Sequence, residues 1–121
     1  MDPRQKLPDA THPITITPTG KRVVVEFRGV VIADTAEALT LQESTYPAVQ
    51  YLPVGAVDPA FLHPSDHHTY CPYKGEADYF HLGRDGEEKD AVWIYRTPHD
   101  AVAAIKDHVA FYPDRVSYTI E

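Results

Sequence analysis

Apolar and polar positions alternate along short stretches of this chain, the period of two that turns one face of a β-strand to a core and the other to solvent. Between Thr11 and Thr17, Ile14 and Ile16 share a face. The β-branched runs Arg22–Phe27 and Val30–Ala33 meet at Arg28-Gly29, which predicts a hairpin. Ala38–Glu43 sets Leu39 and Leu41 on one side with Thr40 and Gln42 on the other. Val49–Leu52, Ala77–Leu82, Ala91–Tyr95 and Arg115–Ile120 read the same way, giving about eight strands.

One stretch changes period. Thr97 reads as an N-cap, Pro98 suits the first helical position and Asp100 stands where a capping box wants an acid. Ala101, Val102, Ala104, Ile105, His108 and Val109 then share a helical face, and Pro113 bars continuation, so a helix is expected over about 98–109. A shorter helical turn at Asp58-Pro59 would carry Phe61 and Leu62 inward. Residues 53–66 hold three prolines and one glycine and read as a long loop over the sheet.

The 121 residues fit one domain, and eleven prolines with six glycines punctuate short elements rather than long ones. Residues 1–10 read as a flexible polar lead-in and 11–121 as a single β-rich domain. With Cys71 the lone cysteine, no internal disulfide can form, which favours a cytoplasmic setting. No apolar run approaches membrane-spanning length. Eleven Lys and Arg scattered among eighteen acids, with a net charge of −7, form no basic stripe. Nucleic acid and membrane surfaces are therefore not expected partners.

Candidate chemistry gathers in His67-His68-Thr69-Tyr70-Cys71-Pro72-Tyr73-Lys74-Gly75. Pro72 holds Cys71 extended, and Lys74-Gly75 permits a sharp change of direction. A thiol beside an ammonium group is a candidate nucleophile, with His67 or His68 as its base; the plainer reading is a small buried apolar group. Lys74 reads as an anion clamp, an amine nucleophile or a solvated turn lysine. His67, His68 and His81 with Glu76 or Asp78 suggest a metal set, but adjacent strand residues face opposite ways, and no CxxC, HExxH or His-x-His element exists. The eight tyrosines and Trp93 could line a pocket or fill the sheet. An inward charge on a strand would need a partner, and Arg22 with Glu43 is one such pair.

The run Arg22-Val23 through Glu26-Phe27-Arg28-Gly29-Val30-Val31-Ile32-Ala33-Asp34, with Leu41-Gln42-Glu43 and Tyr51-Leu52-Pro53, resembles the family catalogued as domain of unknown function 427. Thr69-Tyr70-Cys71-Pro72-Tyr73-Lys74-Gly75, Tyr79, Trp93-Ile94-Tyr95 and Val109-Ala110-Phe111-Tyr112-Pro113 carry the same likeness, which covers roughly residues 21–118. The resemblance implies a compact β fold related to the β-tent group, which includes zinc-binding modules and methionine sulfoxide reductases. The family has also carried a nucleotidyltransferase-like label. Such chemistry needs carboxylates to hold divalent ions, yet the chain has no Asp-x-Asp pair and no Gly-rich phosphate cradle. The paired cysteine knuckles of the zinc modules are missing too.

The expected fold is therefore mainly β: a small β-tent or barrel-like sheet of about eight short strands with one helix. Two functions compete. In the first, a small polar or anionic ligand binds around the Tyr-Cys-Pro-Tyr-Lys-Gly turn, with Cys71 and Lys74 as catalytic candidates. Arg22, Tyr51, His67, Thr69, Tyr70, Tyr79 and Trp93 are then the ligand-binding candidates. In the second, the same block is structural in a binding or assembly module, and a homodimer is one form that module could take. Neither reading calls for a cofactor or a metal.

Overall fold

Alternation becomes pairing in the computed structural model, which describes residues 2–121. Ten strands form: β1 (Ile14–Pro18), β2 (Val23–Phe27), β3 (Val30–Thr35), β4 (Leu39–Glu43), β5 (Val49–Pro53), β6 (Leu62–Cys71), β7 (Gly75–Leu82), β8 (Glu88–Ile94), β9 (His108–Phe111) and β10 (Ser117–Ile120). A seven-stranded antiparallel sheet runs β1-β4-β5-β9-β8-β7-β6, and a three-stranded sheet runs β10-β2-β3. The hairpin of β2 and β3 turns at Arg28 and Gly29, both at positive φ (49° and 81°), the backbone of the two-residue turns that suit the right-handed twist of paired strands.

Period two sorts the side chains into two cores. Val23, Val25, Phe27 and Ile32 of the small sheet pack on Leu52, Phe80, Val92, Ile94, Val109 and Phe111 of the large one. On the opposite face of the large sheet, Leu41, Tyr51, Ala77, Tyr79, Tyr95 and Ala110 gather around Val102 and Ile105. The switch is visible within β5, where Tyr51 faces one core and its neighbour Leu52 the other.

The expected helix over 98–109 is not formed. A 3-10 segment spans Asp100–Ile105, entered at His99 without a side-chain cap, and Val102 inside it has non-helical angles (φ −125°, ψ 26°). Only Val102 and Ile105 of that segment are buried, which is the spacing of a three-residue turn. Asp107 at φ 58° then turns the chain into β9, whose Val109, Ala110 and Phe111 are wholly enclosed between β5 and β8. A strand buried on both faces carries a continuous apolar run, so its pattern blends into that of a helix.

The expected 53–66 loop is also shorter than its prolines suggest. Two 3-10 turns, Val54–Ala56 and Pro59–Phe61, lead directly into β6. The Asp58 carboxylate accepts the Ala60 N–H at 3.0 Å and caps the second turn, which buries Phe61. Strand β6 tolerates Pro64 because it is an edge strand whose register with β7 shifts between Pro64 and His68. The pairing of Arg22 with Glu43 does not occur: Arg22 forks onto Asp34 and reaches Glu121, while Glu43 meets other partners. Among the described residues no helix is long and apolar enough to cross a membrane.

Candidate functional site

The Tyr-Cys-Pro-Tyr-Lys-Gly block is the turn between β6 and β7. Cys71 pairs with Gly75, and the Lys74 N–H closes the turn onto the Cys71 carbonyl at 3.2 Å, with Pro72 supplying its fixed φ. Gly75 adopts φ 109°, which an L side chain rarely takes. The Lys74 carbonyl accepts the His99 N–H at 2.9 Å, tying the turn to the 3-10 segment. Outside the sheet, the Pro72 carbonyl accepts the Lys6 N–H at 3.0 Å, and the Arg4 guanidinium lies 3.8 Å over the Tyr70 ring. Residues of the lead-in are thus laid against this turn; Met1 lies outside the described residues.

From that anchored turn the Lys74 side chain runs inward to Glu43 at the end of β4. The ammonium donates to Glu43 Oε1 at 2.6 Å, with only 12% and 15% of the two side chains exposed. His12 Nε2 lies 2.8 Å from the other carboxylate oxygen, and its ring stacks on Tyr73 at 4.1 Å. Burial alone would push the Glu43 carboxyl up, but the bonds from Lys74 and His12 outweigh it and hold the group below its ordinary value. The alternation that buries Leu41 puts Glu43 on the same face two residues later. A carboxylate on an apolar face demands a cation, and that was the signal for this pair.

Beside the ion pair lies a cleft of about 240 Å³. Glu43, Lys74, Tyr51 and Tyr95 line it together with Tyr46, Pro47, Tyr79, Trp93 and Tyr112. The Trp93 indole N–H donates to the Tyr51 hydroxyl at 3.1 Å, and Tyr112 leans on Trp93 at 4.8 Å between ring centres. The Tyr79 hydroxyl is paired with Thr69 Oγ1 at 2.9 Å. Tyr95 differs from these. The residue is 6% exposed and lines the cleft, and its hydroxyl, which is not sealed from solvent, makes no hydrogen bond among the described residues. Burial pushes the Tyr51 and Tyr95 phenols well up, so both are neutral O–H groups.

Of the residues read from the sequence, Tyr51, Lys74, Tyr79 and Trp93 come together in the cleft, and Thr69 touches it through Tyr79. The His67 ring leans on Tyr79 at 4.6 Å between ring centres, and His68 turns to Asp78 at 2.9 Å, so the neighbouring histidines diverge as strand geometry requires. Tyr70 points to His99, 3.1 Å away. Cys71 packs with the second core, its sulfur 4.0 Å from the Lys74 nitrogen, and does not line the cleft. Arg22 lies in the small sheet, apart from all of these. The sequence reading did not single out Tyr95 as a site residue, although two-residue spacing places it on the Trp93 side of the sheet.

The family model described as Domain of unknown function (DUF427) matches residues 15–121. The chain belongs to that family. The matched part of this DUF427 chain contains nearly all of both sheets and every residue named in the cleft, while His12 and the lead-in precede it. A comparison with curated proteins found no match.

Proposed function

We propose that the cleft binds a small molecule reversibly through an uncharged polar group. The Tyr95 hydroxyl carries this reading: it belongs to a residue lining the cleft, is open to solvent there and has no partner within the described residues. A hydroxyl left this way meets water, and a ligand that offers it a hydrogen bond takes the water's place. Lys74 has three N–H donors, of which one is committed to Glu43 and another faces the Cys71 sulfur, leaving one for a ligand acceptor. Because Glu43 already balances the Lys74 charge, a hydroxyl or amide suits the site better than a free anion. The aromatic walls supply the apolar contact typical of small-molecule sites. Cys71, behind the lysine, takes no part in this binding. A lone unpaired thiol is in keeping with a cytoplasmic protein.

The test uses Trp93, the chain's one tryptophan, as a reporter. Small amides and alcohols titrated into the ¹⁵N-labelled protein should move the Trp93 indole resonance to saturation. Tyr95→Phe should fold normally, because the lost hydroxyl bonds nothing in the protein, yet abolish the shift; Cys71→Ala should retain it. An indole resonance that none of the compounds moves, or equal titrations of the parent and Tyr95→Phe, would sink the proposal.

A second reading is favoured by the links around Lys74. Its side chain, carbonyl and amide bind β4, the 3-10 segment and the turn together, as expected if the block only holds an assembly module in shape. That reading predicts no ligand response in the parent or in any variant, with Lys74→Met acting on stability alone.

A further inference from the structure

A second cavity of about 340 Å³ adjoins the first, and the two share Pro47, Val49 and Trp93 as their common rim. Their polar endowments differ. The first holds the free Tyr95 hydroxyl and the Lys74–Glu43 pair. In the second, the polar side chains are already satisfied inside the protein. Gln50 accepts from Thr19 at 2.7 Å and donates to Thr40 at 3.0 Å, and the Tyr118 hydroxyl is spent on the backbone of Phe111. The remaining wall is Pro47, Ala48, Val49, Phe111, Pro113 and Ile120, whose side chains offer a ligand apolar contact. Six large hydrophobic side chains are exposed in the described chain, and three of them border these cavities: Tyr46 and Tyr112 at the first, Ile120 at the second. Apolar surface concentrated around a cavity marks a place where apolar matter is received.

We propose that both cavities receive one amphipathic small molecule, its uncharged polar head between Tyr95 and Lys74 and its alkyl tail passing Trp93 into the second cavity. This rests on the first cleft binding the head. It adds that the ligand class is set by the tail, and that Trp93 is the threshold it crosses. The Trp93 N–H is held by the Tyr51 hydroxyl, which fixes the indole plane at that threshold.

A homologous series of primary amides, from acetamide through butanamide to hexanamide, tests the extension. Affinity should rise about fourfold for each methylene that enters the second cavity. The Trp93 indole should respond to every member, and the Ile120 methyl resonance only to the longer ones. Ile120→Asp should flatten the gain with length. Ala48→Trp, which narrows the same cavity from another side, should cut off the gain at a shorter chain and serves if Ile120→Asp unsettles β10. Acetamide binding that requires Tyr95, with no gain on lengthening or no response at Ile120, overturns the tail assignment and leaves the head site standing. No binding at any length overturns both.

Discussion

Glu43 accepts on one oxygen from Lys74 and on the other from His12, and its carboxyl is held below the ordinary range despite its burial. The sign of the resulting pH dependence follows. In the unfolded chain the group takes up a proton near 4.5, whereas in the folded protein it does so only at lower pH. Its contribution is therefore complete above about 4.5 and drains away as pH falls through the folded value. Urea midpoints measured downward from pH 6 should fall more steeply for the parent than for Glu43→Gln. Parallel curves would show that the bonds to Lys74 and His12 confer no net preference for the ionised form. At neutral pH, Lys74→Met should cost about 3 kcal/mol by leaving a mostly buried carboxylate with one partner, read from the same midpoints.

Elements were legible where one face was wet. Strands β1, β4 and β7 alternate because one side meets solvent or a cleft, and the β2–β3 hairpin was announced by Arg28-Gly29 at its corner. β9 gave no such cue, for a strand enclosed on both faces has no polar beat, and the alanines before it mimicked a helix. β6 failed for the opposite reason: an exposed edge strand needs no apolar beat, and Pro64 disguised it further. The site divides likewise. Lys74, Tyr79 and Trp93 stood out by residue type, whereas Tyr95 matters through a missing partner, a property of three-dimensional surroundings alone. The turn that carries Lys74 depends on Gly75, whose φ of 109° suits no side chain and where an added Cβ would lie 3.4 Å from the Thr97 carbonyl oxygen. Gly75→Ala should destabilise the protein by about 1–3 kcal/mol, measured by thermal unfolding, and weaken any response at Trp93 by displacing the lysine.

Across the whole molecule, the first cleft draws Glu43 and Tyr51 from the early strands, Tyr79 and Trp93 from later ones and Tyr95 from just past β8, while the lead-in braces the turn from outside. Deleting residues 2–8 removes the Lys6–Pro72 bond and the Arg4–Tyr70 contact. Amide hydrogen exchange across Tyr70–Gly75 should then quicken while exchange in β8 and β9 stays slow. Unchanged exchange at the turn would mean that the lead-in is loosely attached, as its composition suggests.

The position of β9 also governs the order in which this protein can be completed. It is the middle strand of the large sheet, yet eight of the ten strands precede it in the chain. A nascent chain that has not reached His108 leaves the facing sides of β5 and β8 as two open edges, each with unsatisfied amides and each able to capture a wrong strand. Pairing across such sequence separation is slow, because loop closure precedes any reward in contacts. On the ribosome, therefore, the two halves wait for four residues, and the cleft cannot exist until His108–Phe111 joins them.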